Sequence, residues 1–109
     1  MNELSPQQIA ILERLLTKGF VPVAFPIYAN AVGLRKGSCA ALLDPLTGGG
    51  FRLYGEPCLL LDENLTVRVK DKNQLWFVWK KQRIEATPER LLELDHFVAE
   101  LRILLEPHL

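Results

Sequence analysis

The sequence predicts an α+β domain in two layers: a helix at each end of an antiparallel β-meander of about five strands, both helices on one face of the sheet. Three observations carry this prediction. Apolar residues recur at helical spacing near both ends of the chain. Residues 65–70 alternate apolar with polar side chains. Glycine, proline, aspartate and asparagine punctuate the middle at short intervals.

The first helix is expected over residues 6–18. Ser5 is a good N-cap, Pro6 suits the first helical position, and Gln8 completes a capping box with Ser5. Leu4 and Ile9 are placed for a hydrophobic staple. Ile9, Leu12 and Leu16, broadened by Leu15, form the apolar stripe, and Gly19 can take the left-handed position after the last turn.

The middle reads as β. Val21 to Tyr28 carries Pro22 and Pro26, so it is an edge strand or an extended arm. Ala31–Arg35 and Ser38–Leu43 flank a turn at Lys36-Gly37. Residues 46–50, with three consecutive glycines, read as the most mobile loop. Phe51–Tyr54 and Cys58–Leu61 are short strands. Leu65–Lys70 and Leu75–Ile84 form the clearest hairpin, closed by the polar turn 71–74. The last helix runs over residues 88–105, with Thr87 as N-cap, Pro88 first and Pro107 as its stop. Leu91, Leu94, Val98, Leu101 and Leu105 are its seam, widened by Phe97 and Leu104.

Residues 1–109 read as one domain, since 109 residues is an ordinary single-domain length. Thirteen basic residues balance thirteen acidic ones, which argues against a globally basic nucleic-acid binder. Hydrophobic residues at 49% and charged residues at 24% argue against disorder. No apolar run reaches the ~20 residues that span a bilayer, so no membrane partner is expected. The N-terminus has neither the basic region nor the apolar segment of a secretory signal, so the expected location is cytoplasmic. Cys39 and Cys58 lie in apolar contexts and are expected to be reduced and buried. With two cysteines and two histidines at no ligand spacing, neither a metal nor a cofactor is expected. His96 reads as a surface or boundary residue of the last helix.

A two-residue reversal at Lys72-Asn73 sets the hairpin register, with Val69 opposite Trp76, Val67 opposite Val78 and Arg68 opposite Phe77. Val67, Val69, Trp76 and Val78 are assigned to the core, against Leu91, Leu94, Val98 and Leu101. Phe77 and Trp79 are then expected on the far face, among Arg68, Lys81 and Arg83. These five are the candidate partner-binding residues. Residues 66–83 carry a net charge of +5 and residues 84–109 a net of −4, a dipole that would steer an acidic partner to the hairpin.

The reading these observations favour is a small protein-interaction domain without catalytic activity, either a homodimer or an accessory subunit of a larger assembly. The alternatives are a single-stranded nucleic-acid-binding domain using the basic and aromatic sheet face, and a small enzyme with a pocket near the glycine loop. No catalytic residue is assigned. Gly48-Gly49-Gly50 lacks the lysine and following helix of a phosphate-binding loop, and no nucleophile, base and acid converge.

Overall fold

The computed structural model describes residues 4–25, 28 and 30–105. Pro107 and His108, and Pro26 and Ile27 of the expected arm, lie outside the described residues. Helix α1 (Pro6–Thr17) opens the fold and helix α2 (Pro88–Leu105) closes it. Between them lie β1 (Val21–Val23), β2 (Val32–Lys36), β3 (Cys39–Pro45), β4 (Phe51–Leu53), β5 (Cys58–Leu61), β6 (Asn64–Leu65), β7 (Val67–Asp71), β8 (Gln74–Trp79) and β9 (Gln82–Glu85). The class is α+β and the order is helix, antiparallel strands, helix, as the sequence predicts.

The strands divide into two sheets, and there are more of them than the predicted meander contains. One sheet runs β1-β2-β3-β5-β6, with β4 also paired to β3; the other runs β7-β8-β9. Two breaks hidden in the sequence pattern account for part of the difference. Lys80 takes a left-handed φ of 54°, turning the 75–84 run back on itself as β8 and β9. Thr66 is buried and donates its Oγ1 hydroxyl to the Leu59 carbonyl at 2.6 Å, which separates β6 from β7 and marks the change of sheet.

The core lies between the helices and one face of the larger sheet. Leu34, Cys39, Ala41 and Leu43 share that face through the β2–β3 register, and all four are buried. From α2 they meet Leu94, Phe97 and Leu101, and from α1 Ile11 and Leu15. Thr87 caps α2, accepting from the Arg90 N–H at 3.2 Å. His96 is exposed. None of the helices formed by the described residues is long and apolar enough to cross a membrane.

Helix α1 presents a different stripe from the one its apolar periodicity predicts. Gln8, Ile11 and Leu15 face inward, while Ile9 and Leu16 are about half exposed. Gln8 is the reason. Its N–H donates to Ser5 Oγ at 3.1 Å and its Oε1 accepts from the Ser5 N–H at 2.9 Å, forming the predicted capping box. Its Nε2 also donates to the carbonyls of Leu46 and Gly50, each at 2.9 Å. A buried carboxamide needs such partners, and supplying them turns the helix so that Gln8 points at the 46–50 loop. That loop is thereby fastened, and it is closed further by Leu46 N–H to the Gly50 carbonyl at 3.1 Å.

Candidate interaction surface

The β7–β8 hairpin has the register the sequence predicts: Val69 opposite Trp76, Val67 opposite Val78, Arg68 opposite Phe77 and Lys70 opposite Leu75. Lys72 and Asn73, with φ of 53° and 65°, form its two-residue turn. The faces are the reverse of those predicted. Phe77 has no exposed surface and belongs to the core cluster, whereas Val67 is 66% exposed and Val69 40%. Helix α2 therefore does not dock on Val67, Val69, Trp76 and Val78; the inward face of this small sheet is Leu75, Phe77 and Ile84, followed by Ala86.

The physical reason lies in β9. Strand β8 is apolar on both faces, so it cannot choose an orientation by itself. Ile84, the one apolar residue of β9, stands opposite Phe77, and the Ala86 N–H continues the ladder to the Leu75 carbonyl. A face ending in Ile84 and Ala86 buries more apolar surface than one ending in Arg83 and Glu85. Arg68 and Lys70 share the inward side but sit on the outermost strand, where long stems let their charged ends reach water.

The five candidate residues are accordingly split. Phe77 is core, with no surface to offer a partner. Trp79 is half-buried, with the Lys80 ammonium 5.1 Å from its ring centroid. Lys81 lies in the exposed β8–β9 turn. Arg83 stands opposite Val78 on the outward face, its guanidinium carbon 3.9 Å from the Trp76 ring centroid, and it pairs with Asp71 at 3.4 Å. Arg68 lies on the inward side at the edge, 6.0 Å over the Phe77 ring. Trp76 and Val78, which the sequence assigns to the core, occupy the outward face with Val67 and Val69. Trp76 and Trp79, three apart on one strand, point to opposite faces, so they do not form a common platform for stacking bases.

A cleft of about 440 Å³ opens beside β7. Val67 and Arg68 line it from the hairpin, and Leu65 and Thr66 from the end of β6 and the step between the sheets. Ala40, Leu42, Tyr54, Glu56 and Cys58 contribute from the larger sheet and the β4–β5 connection, and Tyr28 stands edge-on to Tyr54 with ring centroids 6.0 Å apart. Gly48–Gly50 do not line it. Cys39 and Cys58 are free and buried. Burial pushes the Cys39 thiol up to about 12, with Glu93 adding to the effect. Burial raises Cys58 as well, against hydrogen bonds from Thr66. Thiols held protonated in this way are poor nucleophiles. Among the described residues no group of histidine, cysteine, aspartate and glutamate is placed to hold a metal ion.

No family model, curated protein or solved structure matches this chain.

Proposed function

We propose that this chain is a protein-interaction domain that pairs with a second copy of itself through the outward face of the β7–β9 sheet. The observation that carries the reading is the composition of that face. Val67 and Val69 of β7 and Trp76 and Val78 of β8 make an apolar centre on two adjacent strands, partly open to water. Contiguous apolar patches of this kind mark contact sites on soluble domains.

The rim supports a second copy as the occupant. Asp71 and Glu85 contribute negative charge and Arg83 positive charge around one apolar centre. A two-fold axis can then set opposite signs against each other, as an isologous interface requires. An accessory-subunit role would use the same face against a different chain.

Sedimentation of the wild-type chain and of Trp76→Asp across a concentration series tests the proposal. The expected result is a dimer at roughly 100 μM for the wild type and a monomer for the variant, with Phe77-dependent stability retained. A wild-type chain that stays monomeric, or a variant that dimerises as well as the wild type, overturns it.

A further inference from the structure

Among the described residues five strands lie at sheet edges, β1, β4, β6, β7 and β9, and they differ in how open those edges are. Strand β1 carries Pro22, which has no N–H to donate. Strand β4 has three residues and β6 only two. On β9 the Arg90 guanidinium takes the Glu85 carbonyl at 2.7 Å. Strand β7 has five residues, no proline, and every residue exposed. Natural sheets shorten, cover, interrupt or charge such edges unless something pairs with them, and on β7 charge alone, from Arg68, Lys70 and Asp71, is in place.

The side chains of β7 say what that partner is. Val67 and Val69 lie on one face; Arg68 and Lys70 lie on the other, and among the described residues neither cation meets a carboxylate. A second copy does not fit. In an antiparallel two-fold pairing of β7 with itself, residues of the same face come opposite each other, so cations of one copy face cations of the other. Like charges directly opposite oppose strand pairing. The cleft also reaches this edge, because the successive residues Val67 and Arg68, which point to opposite faces, both line it.

We propose that the β7 edge is the docking site for an extended segment of another protein in which acidic residues alternate with apolar ones. This rests on the reading of the chain as an interaction domain and gives its open edge a partner distinct from the self-pairing face. The segment adds a strand to the β7-β8-β9 sheet through backbone hydrogen bonds. Its acidic side chains lie beside Arg68 and Lys70 and its apolar ones beside Val67 and Val69. One large apolar side chain enters the cleft against Leu42, Tyr28 and Tyr54. The net charge of +5 over residues 66–83 steers the segment to this edge.

Two blocked synthetic octapeptides test the proposal: one alternates valine and glutamate with a single phenylalanine among the valines, the other has lysine for glutamate. Each is titrated into the full chain while backbone amide shifts are followed. The glutamate peptide should move the amides of Val67–Asp71 and bind at least roughly tenfold tighter than the lysine peptide. The Arg68→Glu, Lys70→Glu double variant should reverse that preference, and N-methylation of alternate peptide amides should abolish binding. Equal binding of the two peptides, no binding of either, or shifts confined to the Trp76 face overturns the proposal. Sedimentation of the same samples separates the two ideas. A chain that dimerises through Trp76 yet ignores both peptides loses this inference alone; one that takes the glutamate peptide at β7 but never dimerises loses the self-pairing face alone.

Discussion

The Arg83 guanidinium lies over the Trp76 indole, its central carbon 3.9 Å from the ring centroid, and its outer end reaches Asp71 at 3.4 Å. The three residues come from three neighbouring strands. The stack therefore ties β9, β8 and β7 together across the outward face while shielding the largest apolar group on it. Exposed cation–π contacts contribute about 0.5–1 kcal/mol. Arg83→Ala should lower the stability of the isolated domain by that amount and make an indole more accessible to acrylamide quenching. Unchanged quenching would mean that Arg83 does not cover Trp76 in solution.

The reversal of the hairpin faces gives a sharper contrast. Phe77 is wholly buried, so Phe77→Ala should cost about 3–5 kcal/mol, the range for emptying a core aromatic site. Val67, 66% exposed and directly across from Val78, should tolerate Val67→Thr within about 0.5 kcal/mol. Denaturant unfolding of the two variants checks both figures. A small loss for Phe77→Ala with a larger one for Val67→Thr would place the hairpin the other way round.

How far the sequence reaches can be seen in these same residues. Register was legible, because a polar two-residue turn leaves a two-stranded hairpin few alternatives. Both helix starts were legible from Ser5-Pro6 and Thr87-Pro88, and the α2 seam from its spacing. Orientation was not, because Leu75, Trp76, Phe77, Val78 and Trp79 offer apolar groups to either side. The deciding residues, Ile84 on the next strand and Ala86 just past its end, lie beyond a turn at Lys80-Lys81 that carries no glycine or asparagine to announce it. The buried stripe of α1 departs from its apolar periodicity for a related reason. Apolar periodicity cannot foresee a glutamine turned inward by carbonyls 38 and 42 residues away.

Gln8 provides the next expectation. Gln8→Ala removes two hydrogen bonds to the 46–50 loop and one to the helix start, leaving the Leu46 and Gly50 carbonyls without that donor. The loss should be about 1–3 kcal/mol. Proteolysis should quicken within residues 46–50 well before global unfolding, because the loop's fastening is lost first. A loop that stays resistant in Gln8→Ala would show that the glycines hold their conformation without the helix.

The β7–β8 turn can be improved. Lys72 sits at a φ of 53°, a region that costs ordinary side chains and that asparagine tolerates better. Lys72 is exposed, so nothing packed is lost on replacing it. Lys72→Asn should raise stability by about 0.5 kcal/mol, read as a thermal midpoint about 2 °C higher. A lower midpoint would mean that the lysine makes a stabilising contact in solution.

Cys39 gives the protein an alkaline limit. Its side chain is fully buried behind α2, and desolvation, aided by the nearby Glu93 carboxylate, holds the thiol protonated up to about 12, against 9.0 when unfolded. Between those values the unfolded chain releases a proton that the folded chain keeps. Folding is therefore favoured fully below pH 9, and this contribution falls as pH rises from 9 toward 12, by up to about 1.4 kcal/mol per pH unit. Other groups titrate in the same window, so the comparison that isolates the thiol is with Cys39→Ala. At neutral pH the variant should be less stable than the wild type by about 1 kcal/mol, having lost a small buried group. That gap should close and then invert as pH passes 10, because the variant has no thiol at residue 39 to hold protonated. In the same pH series a thiol reagent should label neither cysteine quickly in the native protein at pH 8, and both after unfolding. A gap that stays constant from pH 7 to pH 11, or fast native labelling of Cys39, would place its sulfur in contact with water.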